Sequence, residues 1–509
     1  MADNSTANRR IAKNTLFLSI RMVIVLGVTL FTTRIVLQAL GAVDYGVYNV
    51  VCGFVSLFSF LNVSMSNGIQ RFYNFEYGKN GEDGANSVFC ISLIIQSILA
   101  IIVVILVEGI GLWYLHNKMV IPPERLNAAE WIFQLSVITF VIGIMTAPFS
   151  AAVTAHEKMN FYAIVSVFIV FLKLGVAYII KISQSDKLVL YGILLTAISL
   201  VEISLYLLYC KRNFREIYIS RRFDKTLFKK MFGFSGWNLF GSFSNVMENQ
   251  GTNLVLNYFF GPVVNAARGV AMQVNGGVQS FVENITIPVR PQVIQSFASG
   301  NLQRTLSLTY SVSKISSIII LILAIPISLE IEYILGLWLG ADFPEHTAAF
   351  TVLILACSFF NTLQSSLSGV VHATGKMKKY QLSCSFIRLL SLPVSIFLIH
   401  FIHIPEVCLI SVVFFSSMVL VNSLFIVRQL VGFSIKRYLY QVLFPVLFVL
   451  ILSVVVLYPL HSIVTEGFIR LFIVTLSSII LTGSLSYFFV FSEGERILVR
   501  QFVDRIKNK

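Results

Sequence analysis

The chain reads as an all-α polytopic membrane protein with about fourteen transmembrane helices, and three observations carry that reading. Of its 509 residues, 56% are hydrophobic and only 12% are charged, about half the charged fraction of a soluble domain. The mean hydropathy is +0.82. Apolar runs about 20 residues long, enough to cross a bilayer as a helix, succeed one another nearly to the end. A β-barrel would show alternating ten-residue segments instead.

In order, the spans fall at 14–37, 44–66, 87–112, 129–152, 160–181, 187–209, 233–258, 268–292, 308–330, 347–371, 380–402, 405–427, 438–460 and 468–491. Arg9, Arg10 and Lys13 lead into a full-length first span without a small-residue cleavage site, so no cleavable signal peptide is expected. Basic residues collect on the amino-terminal side of the spans: Arg71, Lys79, Lys158, Arg304, Lys376, Lys378, Lys379, Arg428, Lys436, Arg437 and the tail from Arg496 to Lys509. The opposite side has little more than Lys118, Arg125, Lys181 and Lys187. The positive-inside rule then places both termini in the cytoplasm, and an even number of spans agrees. The net charge of +14 is therefore a topology signal and an attraction to anionic lipid headgroups, not a nucleic-acid footprint. The six cysteines stand singly in or beside apolar segments, which argues for packing rather than disulfides or metal.

The longest charged connection holds Lys211, Arg212, Arg215, Arg221, Arg222, Lys225, Lys229 and Lys230. It divides the chain into an N-terminal six-helix lobe (1–210), a basic cytoplasmic linker (211–232), a C-terminal six-helix lobe (233–428), and two additional helices with a basic tail (429–509). The lobes echo each other. Leu40-Gly41-Ala42-Val43-Asp44-Tyr45-Gly46 matches Phe260-Gly261-Pro262-Val263-Val264-Asn265-Ala266, and Glu157 to Tyr162 matches Gly375 to Tyr380. The offsets, about 220 and 218, describe one repeat in two copies of equal orientation, with a substrate path expected between halves related by an axis along the membrane normal.

Two spans between Gly233 and Gln295 carry polar seams. Asn238, Ser242, Asn245, Asn249 and Asn253 recur on one narrow helical face with Glu248 beside them. Gln273, Gly276, Gly277, Ser280, Glu283 and Asn284 form a second stripe, with Arg268 and Arg290 near its ends. Lipid tolerates neither face, so each lines a cavity or hydrogen-bonds another helix. Basic residues within spans are Arg21, Arg34, Lys173, Arg268, Arg290, Lys314 and Arg388. Facing lipid they would together cost roughly 20 kcal/mol, which demands compensation. Those near span ends can snorkel. The deeper Arg21, Lys173 and Arg388 either pair with Glu202, Glu248 or Glu283, or face a cavity. Lys173 and Arg388 fall within one turn of each other under the repeat offset. A cavity with this bias suits anionic cargo, phosphate or pyrophosphate above all, while amides hydrogen-bond sugar hydroxyls. Glu248 and Glu283 admit a second role, proton or sodium coupling, and ion pairing explains them equally well. No cofactor, metal site or catalytic constellation is evident, and the chain is not expected to be an enzyme.

Fourteen spans, a 6+6 repeat plus two, and the Leu40-Gly41…Asp44-Tyr45-Gly46 turn resemble the polysaccharide (O-antigen type) flippases of the multidrug/oligosaccharidyl-lipid/polysaccharide (MOP, MATE-like) exporter superfamily. Gly236-Trp237-Asn238-Leu239-Phe240-Gly241 through Phe259 to Arg268 is similar to the lipopolysaccharide-biosynthesis branch. The resemblance implies two six-helix lobes in a V, with the first, second, seventh and eighth helices lining a cationic cavity. It implies an undecaprenyl-pyrophosphate-linked oligosaccharide crossing the bacterial inner membrane by alternating access, with polysaccharide polymerase or assembly proteins as partners. Two rivals stand beside it. A MATE-type drug/cation antiporter typically uses an acid in its first helix, where this chain has Arg21 and Arg34 instead. A membrane polysaccharide polymerase usually needs a large outer loop or an acidic metal-binding motif, and the outer connections here are all short.

Overall fold

The computed structural model describes residues 2–156, 158–220, 224–340, 342–374 and 376–497, and among them there is no strand. Eleven helices among the described residues are long and apolar enough to cross a membrane, which makes the chain a multi-pass membrane protein. The stretches on either side of Gly261 are not among them, because asparagine, glutamine and glutamate dilute their apolar residues. Outward faces are apolar, as lipid requires: Phe401, Ile451 and Phe472 are all more than 60% exposed.

Packing resolves two compact units, Met1–Val270 and Ala271–Lys509. The first contains α1 (Ala2–Ser56), α2 (Ser59–Leu106), α3 (Leu112–Asn117), α4 (Leu126–Ala155), α5 (Met159–Ile182), α6 (Lys187–Asn213), α7 (Lys225–Val246), α8 (Thr252–Phe260) and the start of α9 (Pro262–Ala298). The first two predicted spans differ from expectation. α1 runs past the expected break as one helical element bent at Gly41, and the second span is interrupted at Leu57–Phe58. Gly41 can supply the bend because it sits at φ 79°, ψ 168°, where a Cβ is strained. Gly261, 220 positions later, has the same conformation (φ 81°, ψ −176°) between α8 and α9, and Pro262 opens the new helix.

The second half of α1 buries Val47, Val50, Val51 and Phe54 against Val103 and Val107 of the second helix and Ala129, Ile132 and Phe133 of α4. With lipid as apolar as these side chains, close packing rather than exclusion of water holds them together. Among the described residues single π-turns interrupt three helical runs, at Val107–Gly111, Met247–Gly251 and Leu439–Leu443.

The second unit holds the rest of α9, then α10 (Leu302–Leu329), α11 (Ile331–Leu339), α12 (Thr347–Thr374), α13 (Met377–Ile402), α14 (Glu406–Val431), α15 (Ile435–Tyr438), α16 (Phe444–Ile463) and α17 (Phe468–Phe489). Short α3 and α11 come directly after long spans, and the apolar runs do not predict them. The core joins Ile320 and Leu321 of α10, Leu363 and Leu367 of α12, Val419 of α14 and Val446 of α16. Hydroxyls let helices approach: Ser411 Oγ donates to the Ser391 carbonyl (3.1 Å), and Ser453 meets Thr482 (3.3 Å). The last two spans are fastened to α10 at both ends. Lys314 Nζ meets Glu495 Oε2 at 3.1 Å, and Arg470 Nη2 meets Glu330 Oε2 at 3.0 Å.

Candidate functional site

The polar seam of α7 and α8 does not stay on one face. The π-turn at Met247–Gly251 adds a residue to one turn and rotates the helix beyond it. Before the turn Asn245 is exposed, and Asn249 within it is too; each side chain bonds back to its own helix, to Gly241 O (2.9 Å) and Asn245 O (3.0 Å). After it, Asn253 is buried and donates to the Asn49 carbonyl of α1 (3.0 Å). Asn265 of α9 donates to both the carbonyl and the side-chain oxygen of Asn253, at 2.7 and 2.6 Å. The seam thus has two parts: a lower part that presents amides outward, and an upper part that binds α1, α8 and α9 to one another.

Arg268 belongs to both parts. It is 7% exposed, and its Nη2 donates to the Asn249 carbonyl at 2.8 Å. Glu248 is buried in the same π-turn, where its carbonyl accepts from Thr252 Oγ1. The close approach is enforced at Gly46, where a Cβ would sit 1.8 Å from the Pro262 carbonyl oxygen. The sequence places Arg268 near a span end, within snorkelling reach; the structure places it inside the packed unit.

The remaining candidates are scattered. Lys173 is exposed on α5, within electrostatic reach of Glu202. Arg34 is half-buried in α1. In the second unit Gln273 is half-buried and Glu283 exposed on α9, and Arg388 of α13 donates to Gln364 Oε1 (3.2 Å) and Asn361 Oδ1 (3.4 Å). Arg21, Asn238, Asn284 and Arg290 have side chains that lie outside the described residues.

Three ionic clusters stand apart from the residues that the sequence singles out. At the end of the first unit that charge pattern assigns to the outside, Arg125 clasps Asp44 (2.7 Å) and Asp186 (2.8 Å), joining the α1 bend to the starts of α4 and α6. Asp186 also caps α6 by accepting from the Leu188 and Val189 amides. The Arg125 hydrogen bond holds the Asp186 carboxyl below its ordinary value, with the capped amides adding to it. In the second unit, His346 Nδ1 meets Glu406 Oε1 at 2.5 Å. At the opposite end of the first unit, buried Glu216 takes hydrogen bonds from His156 (2.5 Å) and Tyr73 (2.7 Å), docking the linker. Burial alone would raise the Glu216 carboxyl, but those two bonds, together with a backbone hydrogen bond and the electrostatic pull of His156, hold the group low. The one signal for these clusters is Asp44 within the repeated turn.

No protein-family model matches the sequence, and no curated protein does either. Solved structures do. The lipid II flippase MurJ in an inward closed conformation superposes with a TM-score of 0.68 at 14% identity, over 94% of this chain and 98% of that one. An inward-facing multidrug resistance MATE family transporter of the MOP superfamily gives 0.66 at 15% identity, over 82% and 98%. The fold is that of the MOP transporters. A third MOP superfamily transporter, from Pyrococcus furiosus and described as having a binding pocket of reverse polarity, gives 0.59 at 16% identity over 82% of this chain and 96% of its own.

Proposed function

We propose that this chain is a transporter that flips an undecaprenyl-pyrophosphate-linked oligosaccharide, the repeating unit of an O-antigen, capsule or similar polysaccharide, across the bacterial inner membrane by alternating access. The observation that carries the reading is the polar seam with a buried cation: Arg268 tied to the π-turn carbonyl of Asn249, beside outward-facing Asn245 and Asn249. Amides on such a face hydrogen-bond sugar hydroxyls, and a cation beside them favours an anionic cargo. A lipid II flippase and a MATE transporter share this fold, and the flippase aligns with more of the chain, 94% against 82%. The matching bends at Gly41 and Gly261 support two six-helix lobes related by a 220-residue repeat. We assign the pyrophosphate to Arg21 and Arg290, with Arg268 positioning the seam, and both termini to the cytoplasm.

The test is transport in sealed inverted membrane vesicles supplied with lipid-linked oligosaccharide, scoring glycan that reaches the lumenal leaflet. Protein-dependent translocation, lost in Arg21→Glu or Arg290→Glu while the protein remains in the membrane, is the expected result. Full translocation by both variants would overturn the pyrophosphate assignment. Pumping of ethidium-type cations without any glycan movement would move the chain to the antiporter reading, with buried Glu248 as the coupling group.

A further inference from the structure

The second unit contains a cavity of about 450 Å³ between α10, the start of α16 and the end of α17, far along the chain from the polar seam. Its volume lies in the range of small-ligand sites. Three charged residues line it: Lys314, Arg437 and Glu495. Two of these cancel. The Glu495 carboxylate accepts from Ser311 Oγ (2.5 Å), Lys314 Nζ (3.1 Å), and the backbone N–H and hydroxyl of Ser492 (both 2.8 Å). Burial would raise that carboxyl, and these donors hold it low, so it stays an anion beside Lys314. The remaining net charge on the wall is one positive, on Arg437.

Arg437 is exposed at the cavity wall and oriented from two sides. Its Nε donates to Gln441 Oε1 at 3.1 Å, and its guanidinium lies 5.7 Å from the centre of the Tyr310 ring. Tyr310 in turn stacks on Phe433 and meets Tyr438, a rigid aromatic floor beneath the cation. Among the described residues the other four N–H donors of this guanidinium have no hydrogen-bond partner. Gln303, Ser307 and Gln441 add neutral donors around the same space. The mouth carries Tyr440 and Phe489, 63% and 53% exposed, and tyrosine is a type that sits at the level of lipid headgroups.

We propose that this cavity seats the phosphate of an anionic phospholipid headgroup, with Arg437 as the ligand for the phosphodiester and Gln441 fixing its fork. A single uncompensated cation matches a monoanion. Basic pockets between spans on the side rich in Lys and Arg are the usual places for such headgroups. The site would fix a lipid against the seam between α10 and the last two spans. It is independent of the cargo that the protein moves.

Purified full-length protein in detergent is titrated with phosphatidylglycerol, with phosphatidylcholine as the neutral reference, and bound lipids are counted by native mass spectrometry. Arg437→Gln should weaken phosphatidylglycerol retention roughly fivefold, the factor equal to about 1 kcal/mol per basic residue. Arg437→Lys should recover part of it, and Arg428→Gln, at a basic residue at the end of α14 that is exposed like Arg437 but does not line the cavity, should change nothing. Unchanged retention by Arg437→Gln overturns the proposal. So does an equal loss in Arg428→Gln, which would mean diffuse surface charge. Inorganic phosphate that binds with the same dependence on Arg437 and displaces the lipid would reassign the seat to free phosphate and overturn the lipid.

Discussion

The two units solve one mechanical problem with different chemistry. In the first, Arg125 at the start of α4 clasps Asp186 at the start of α6; in the second, His346 at the start of α12 clasps Glu406 at the start of α14. The partners stand 221 and 220 positions apart, the offset of the two glycine bends. Arg125 has a second acid, Asp44; the position 220 residues later is Val264, so His346 has only one of the two. A guanidinium presents a planar fork that can engage two carboxylates at once, whereas an imidazole ring nitrogen meets one. One clasp is three-membered, and the other is two-membered. His346 also holds φ 67°, an uncommon conformation for a residue with a Cβ. The joining points recur at the same offset, and the groups that join them differ.

The comparison breaks most sharply at Arg125. Arg125→Gln leaves two carboxylates without their cation, and should lower the stability of the purified protein by about 2 kcal/mol, read as a reduced thermal midpoint. Asp44→Asn should lower it less, because the Arg125–Asp186 pair and the α6 cap persist. Equal losses would show that the α1 bend, not the helix starts, is what Arg125 secures.

A middle-sized effect tests the first clasp by pH. The Asp186 carboxyl is held low by Arg125, so its contribution is complete at neutral pH and fades only as pH falls through that depressed value. Hydrogen exchange at the Leu188 and Val189 amides, which Asp186 caps, should therefore stay constant at neutral pH and speed up only as pH falls through that depressed value. Asp186→Asn should abolish this acid dependence; persistence of it would mean that another group drives it.

The smallest effect concerns the hydroxyl contacts deeper in the same helix pairs. Thr139 meets Thr196 at 3.0 Å in one unit, and Cys357 meets Ser416 at 3.1 Å in the other. Thr196→Val and Ser416→Ala should each cost about 0.6 kcal/mol in thermal unfolding. A cost several times larger in one unit alone would mark that pair as a hinge.

Most helices were legible because their cause is local: about twenty apolar residues between charged ends form a helix whatever the rest of the chain does. The bend at Gly41 was partly legible through its copy at Gly261. The seam was half legible. Helical spacing grouped Asn245 and Asn249 correctly with Asn253 only up to the π-turn, where one inserted residue turns Asn253 toward α1. No spacing rule announces such an insertion. The clasps were illegible for another reason: Arg125 and Asp186 are 61 residues apart, and only packing of α4 on α6 brings them together. In the sequence Arg125 is a stray charge on the outer side.

The two-ended fastening of the last spans has a consequence for how the chain is made. Glu330 is 140 residues ahead of Arg470, and Lys314 is 181 ahead of Glu495. At roughly 5–20 residues per second, a ribosome needs about 7 to 36 s to deliver the two counter-charges. During that interval α10 is already synthesised with both charges uncompensated, and it stays so in any chain cut short before α16. Until the last two helices follow, Lys314 and Glu330 therefore lack these partners.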